Sequence, residues 1–475
     1  MVISTIAEGV TRGVESVVGT VSATFMEPVL RLGVTGLSRA GKTVLITSLV
    51  ANLLARDRMP GVSAVARGRV LAAYLQPQPD DTVPRFDYET HLAALTGPTP
   101  VWPVSTRAVS QLRLSLRLRP AGLLGGVQGP RVLHLDIVDY PGEWLLDLAL
   151  LGRSYADWSE ALQPRLARRP EAQTFCALAQ ETDASAAFEE PDAQALAQAF
   201  TGYLTAARAA GLADCTPGRF LLPGDLAGSP VLTFAPLPRP DASPPRRSLW
   251  REMERRFEAY KSRVVKPFFR DHFARIDRQI VLCDVLGAIH DGPQALEDLR
   301  RAMAEILGAF RPGGNAFLSR LLVGRRVEKI LFAATKADHL HHTQHPRLTA
   351  ITEALVAEAR ARADFAGADT AALALAALRA TTEEERSHDG DLLPCVRGTL
   401  LNADGTRGRQ AAFYPGELPQ DPTLLLHPAR AGEIHWLDAE FEAMRFAPAA
   451  GQSAAGGLPH IRLDRAAEFL LGDRL

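Results

Sequence analysis

Gly36-Leu37-Ser38-Arg39-Ala40-Gly41-Lys42-Thr43 reads G-x-x-x-x-G-K-T, and this stretch decides the fold. Glycines at both ends let the backbone curl so that successive N–H groups point inward at phosphate oxygens. Gly36, Ser38, Arg39, Ala40, Gly41, Lys42, Thr43 and Val44 are therefore the residues expected to touch a triphosphate. Lys42 adds a point charge toward the β- and γ-phosphates, and the Thr43 hydroxyl can ligate Mg²⁺. Apolar Val29, Leu30, Leu32 and Val34 precede the loop as a short buried strand. After it, Val44, Leu45, Ile46, Leu49, Val50, Leu53 and Leu54 recur at helical spacing. Strand, loop and helix together place the triphosphate on a helix N-terminus, where the dipole favours negative charge.

A second element closes the apolar run Val132–Val138: Asp139-Tyr140-Pro141-Gly142 fits D-x-x-G. An acid at the carboxyl end of a strand can hold Mg²⁺ through water, and the Gly142 N–H can sense the γ-phosphate. Asp136 is a rival for the metal, but it lies inside the strand, and Asp139 is preferred. The third element is Thr335-Lys336-Ala337-Asp338 after the strand-like Ile330–Ala334, a variant of N-K-x-D. The Asp338 carboxylate can accept both the ring N–H and the exocyclic amine of guanine, a donor pair that adenine lacks. The Lys336 stem can lie across the base. A fourth element, Arg379-Ala380-Thr381, is like the S-A-K loop whose backbone supports the guanine oxygen. The order of the four along the chain, each behind a strand, points to a GTP/GDP site.

Composition narrows the class. The 475-residue chain is too long for one core. With Lys+Arg 53 against Asp+Glu 54 it has no positive excess for nucleic acid, which is not an expected partner. Cys176, Cys215, Cys283 and Cys395 form no C-x-x-C pair, so neither a disulfide framework nor a zinc site is expected, and a cytoplasmic setting follows. Ile3, Ile6, Val10, Val14, Val17, Val21 and Phe25 mark an amphipathic helix over 1–26. Its polar face is acidic, which favours packing on protein over a membrane anchor.

Residues 111–117 alternate apolar and polar and pair with Val132–Val138 as a hairpin at one edge of the sheet. Alanine-rich 171–212, proline-rich 216–247 and charged 248–277 suggest a mostly helical insertion. Buried strands are expected at 279–286, 327–334 and 371–380, with helices around 296–310 and 346–362. The organisation is 1–149, the N-terminal helix and first part of the nucleotide domain; 150–278, the insertion; 279–385, its second part; and 386–475, a C-terminal extension packed on it. His339, His341, His342 and His345 read as a solvated loop, and Glu383-Glu384-Glu385 as a solvated turn.

Gly36–Thr43, the Leu135–Leu145 run with its D-Y-P-G-E-W core, Thr335–Asp338 and the closing Ala466–Asp473 resemble the YcjX family of bacterial Ras-like, stress-associated GTP-binding proteins. The resemblance covers essentially the whole chain. It implies an α/β fold, a P-loop NTPase sheet of the Ras-like GTPase type flanked by helices. It also implies GTP/GDP and Mg²⁺ binding, hydrolysis, and a cytosolic or peripheral inner-membrane setting with a protein effector or regulator still to be identified. In many GTPases the residue after D-x-x-G is a Gln that orients water. Here it is Glu143, whose charge the γ-phosphate repels, so turnover should be slow. Catalytic roles fall to Lys42, Glu143 and Arg39; the metal to Thr43, Asp139 and a switch residue, for which Thr106 is favoured over Thr82 and Thr90. The base and phosphate contacts are completed by Gly142, Thr335, Lys336, Asp338, Ala380 and Thr381. An ATP-dependent P-loop enzyme and a non-catalytic nucleotide-binding scaffold are the alternatives.

Overall fold

Seven strands, most of them separated by helices along the chain, build one sheet. The computed structural model describes residues 27–37, 39–104, 108–120, 129–308, 327–365, 367–402, 404–431 and 441–475. The helix expected over 1–26, Ser38 and Thr106 lie outside them. The strands are β1 (Val29–Gly36), β2 (Val70–Gln76), β3 (Ser110–Leu118), β4 (Arg131–Asp139), β5 (Arg278–Cys283), β6 (Lys329–Ala334) and β7 (Asp369–Ala374). Their order is β2-β3-β4-β1-β5-β6-β7. From β4 to β7 all pairings are parallel, whereas β2 and β3 join antiparallel.

The β3–β4 pairing runs from Ser110↔Asp139 to Leu118↔Arg131, but this hairpin is not the edge. β2 lies outside it. Its run Val70-Leu71-Ala72-Ala73-Tyr74-Leu75 lacks period-two alternation, so nothing in the pattern marks it as a strand. As an edge strand it leaves Leu71 and Tyr74 partly in solvent. The expected strand 371–380 also stops early, at Ala374, and the chain leaves the sheet there.

The central strands are buried on both faces. Ile280 and Leu282 pack with α1 (Lys42–Ala55), while Val281 and Cys283 join the opposite core. Such strands read as continuous apolar runs, which is why 279–286 is legible in sequence. Behind β4 comes a short α2 (Gly142–Leu146), followed by α3 (Tyr155–Leu166), α4 (Gln173–Glu181), α5 (Glu190–Ala209) and α6 (Leu249–Tyr260). Their core is aromatic: Trp158 stacks on Phe257 at 5.0 Å, and Tyr155 meets Trp250 edge-on at 4.8 Å. The helix α7 (Pro293–Gly308) precedes β6. The single helix expected over 346–362 is two, α8 (His345–Leu355) and α9 (Ala357–Phe365).

A second sheet follows, antiparallel β8 (Thr382–His388), β9 (Asp391–Leu401) and β10 (Arg407–Phe413). Glu383–Glu385 is therefore strand, not a turn: Glu384 accepts from Arg397 on β9 at 2.6 and 2.9 Å. The turn is Asp389-Gly390, both at positive φ, and that D-G pair was the sequence signal for it. The chain ends in α10 (Leu463–Leu471), whose Leu463, Ala466, Ala467, Leu470 and Leu471 complete the core beneath Leu32, Leu45 and Ile280.

Candidate functional site

Four loops leave the carboxyl ends of neighbouring parallel strands, the position where open α/β sheets hold ligands. The phosphate loop leaves β1. Gly41 caps α1 in the left-handed region (φ 81°), Arg39 shares that backbone region (φ 66°), and the Lys42 Nζ donates to the Gly36 carbonyl at 2.6 Å. Thr43 is buried on the first turn, and Arg39 is exposed.

Asp139 ends β4, buried and in register with Val34 of β1. Asp136, its rival, is committed elsewhere. Arg113, directly across on β3, grips both its oxygens at 2.6 and 2.8 Å. Gly142 lies against the phosphate loop; a Cβ there would stand 2.5 Å from the Gly36 carbonyl oxygen. Only glycine lets these two loops approach so closely.

On the far side, the loops after β6 and β7 are tied together. The Ala380 N–H donates to the Asp338 carboxylate at 2.8 Å, and the Thr381 hydroxyl donates to the Asp338 carbonyl. Thr335 N–H donates to the Cys283 carbonyl at 3.0 Å. Lys336 adopts a left-handed φ of 62° and pairs with Asp284 at the end of β5, a partner that sequence reasoning missed. His345 Nε2 is 2.7 Å from the Ala337 carbonyl and 3.3 Å from that of Leu340, so it donates and fastens the loop. Burial holds the His345 pKa below its ordinary value.

The histidine run is therefore not a solvated loop, since His341 and His345 are buried. β8 supplies the carboxylate that the sequence reading lacked. Glu383 stands 2.6 Å from His342 and 3.7 Å from His341, and the three offer ligand atoms within 4.8 Å of one another. The signal was Glu383 itself, which only the β8 pairing brings across.

The segment after Gly142 meets the helical insertion at three successive points. Arg208, in the last turn of α5, pairs with buried Glu143 at 3.0 Å. The Arg219 guanidinium lies over the Trp144 ring at 3.3 Å, and Phe268 meets the same ring edge-on at 5.6 Å. Asp147 accepts from the Gly218 N–H at 2.7 Å and from the Tyr260 hydroxyl at 2.5 Å. Burial pushes the Asp147 pKa up to about 7 against these hydrogen bonds. A Cβ on Gly218 would stand 2.2 Å from the Glu143 carbonyl oxygen, so the two segments touch backbone to backbone. Nothing in the sequence announces Arg208 as a partner of Glu143.

A G-x-x-x-x-G-K-T loop between a parallel strand and a helix, facing a D-x-x-G turn, defines a P-loop nucleoside triphosphatase fold. The comparisons narrow the class. The model of the YcjX-like family, DUF463, matches residues 30–475. The chain is 39% identical over 460 residues to the Ras-like GTPase YcjX of Escherichia coli (strain K12), covering 94% of this chain and 96% of that protein. It is 35% identical over 473 residues to the Ras-like GTPase YcjX of Shewanella oneidensis, covering 94% of each. The chain belongs to the YcjX-like family. Among the described residues no helix is long and apolar enough to cross a membrane.

Proposed function

We propose that this chain is a Mg²⁺-dependent guanine-nucleotide switch that hydrolyses GTP slowly. One juxtaposition carries the reading. The phosphate loop and the D-x-x-G turn meet at the ends of β1 and β4, while Asp338 and Ala380 meet at the ends of β6 and β7. Groups suited to phosphate thus gather at one pair of strand ends, and groups suited to a base at another pair in the same sheet. The names of the relatives, both called Ras-like GTPase, support guanine as that base.

Buried Thr43 and Asp139 bring a hydroxyl and a carboxylate to the phosphate loop, a hard-oxygen donor set that suits Mg²⁺. When bound, the ion neutralises charge building on the β- and γ-phosphates. Lys42 adds its charge to the same oxygens, and the amides from Gly36 to Thr43 hold the phosphate chain. Gly142 reads the γ-phosphate through its N–H. Glu143 can accept a hydrogen bond from the attacking water but adds negative charge beside the phosphate, which keeps turnover low. Trp144 and Asp147 carry any movement of α2 into the insertion, the surface offered to an effector or regulator.

Calorimetry with GDP, GTP and ATP in Mg²⁺ buffer tests the reading. Guanine nucleotides should bind and adenine ones should not, and Lys42→Ala should abolish phosphate release. Equal heats for guanine and adenine nucleotides would sink it.

A further inference from the structure

A carboxylate at position 143 is an awkward neighbour for a triphosphate. It stands one residue beyond Gly142, which packs directly on the Gly36 carbonyl of the phosphate loop. A γ-phosphate adds negative charge at this end of the site, and a diphosphate does not. Any repulsion from Glu143 therefore falls on GTP and spares GDP. The neutral Gln common at this position avoids the problem.

The remedy is on the insertion. Of the three contacts it makes with this segment, Arg219 addresses an aromatic ring and Gly218 and Tyr260 address Asp147. Among the described residues, Arg208 brings a cation to the Glu143 carboxylate, with 3.0 Å between guanidinium and carboxylate, while Gly218 meets only the Glu143 backbone. Glu143 is almost wholly buried, whereas the Arg208 side chain keeps 28% of its surface exposed. The arginine therefore reaches Glu143 from the solvent side. Two lysines of the site are engaged elsewhere: Lys42 lies on the Gly36 carbonyl and Lys336 on Asp284.

We propose that Arg208 is a positioning residue that partly offsets the Glu143 charge, sets the preference for triphosphate over diphosphate, and aims Glu143 at the attacking water. The proposal rests on the guanine-nucleotide reading above. It makes the insertion a working part of the hydrolytic site, contributed by α5, and not only a surface beside it.

The test uses the full chain. Affinities for GDP and for a non-hydrolysable GTP analogue, and the single-turnover rate with GTP, are measured for the parent, Arg208→Ala, Arg208→Lys, Glu143→Gln and the Arg208→Ala/Glu143→Gln double variant. Arg208→Ala should weaken the analogue by about tenfold or more and leave GDP within about twofold. It should also slow turnover, and Arg208→Lys should recover most of both losses. Removing the carboxylate as well, in the double variant, should restore analogue affinity but not rate. A merely structural arginine would weaken both nucleotides together, and neutralising Glu143 would not rescue it; either result overturns the proposal. Failure of the parent to bind any guanine nucleotide would instead overturn the reading of the site itself.

Discussion

Two carboxylates three residues apart on β4 show how placement decides chemistry. Asp136 and Asp139 lie on the same strand, yet the Arg113 fork takes both oxygens of Asp136 and removes it from contention. Asp338 illustrates the same point at the base. Its side chain accepts from the Ala380 amide, so its position is fixed before any nucleotide arrives. An ionised carboxylate accepts two N–H donors, whereas an asparagine offers one acceptor and one NH₂ donor. Asp338→Asn should therefore lose guanosine nucleotides by roughly 10- to 100-fold, the worth of one charge-assisted hydrogen bond. It should gain xanthosine nucleotides, whose 2-oxo group accepts where guanine donates. The Ala380 contact survives through the remaining amide oxygen, so folding is spared. Competition between GDP and XDP on the variant and the parent reads this out, and an unchanged ranking of the two bases would refute the assignment.

At the scale of elements, α2 and the turn after it join the nucleotide loops to the insertion. Asp147 is buried there with the Tyr260 hydroxyl and the Gly218 amide. Burial pushes its pKa up to about 7, well above the ordinary carboxylate range. The sign follows from that direction. The folded state holds this proton more tightly than the unfolded chain, so the associated stability is full below pH 4 and is lost as pH rises through 7. The total is on the order of a few kcal/mol. Asp147→Asn keeps the shape, still accepts from Gly218 and can donate to Tyr260, yet carries no titrating proton. Urea midpoints of the parent should fall between pH 5 and pH 8 relative to those of the variant, and the variant should be the more stable of the two at pH 8. Parallel profiles would mean that Asp147 ionises without cost.

Across the whole molecule, legibility followed the range of the interaction. The phosphate loop, the D-x-x-G turn and the strands buried on both faces could be read because local chemistry fixes them. β2 could not, because an edge strand needs only one partner and carries no alternation. Contacts between distant segments were equally hidden: Glu143 with Arg208, Lys336 with Asp284, and Glu383 with the histidines. The C-terminus is a further case. Its apolar face signals a helix, but what anchors it is Arg278, a fully buried side chain at the start of β5. That guanidinium donates to the Leu470 carbonyl at 3.1 Å and to Asp473 at 2.7 Å, and pairs with Glu328. Lys329 adds bonds to the Phe469 carbonyl and to Asp473, both at 3.0 Å. Arg278→Ala removes the buried hub and strands the Leu470 carbonyl, while its acidic partners, both partly exposed, can turn to water. Unfolding free energy should fall by roughly 2–4 kcal/mol. Hydrogen exchange in α10 should rise before that in β1, because the helix loses its tether while the sheet keeps its ladder. Lys329→Ala, which leaves the buried arginine in place, should cost much less. An Arg278→Ala chain that matched the parent in both denaturation and α10 protection would show that apolar packing alone holds the closing helix, and that the buried charge is dispensable.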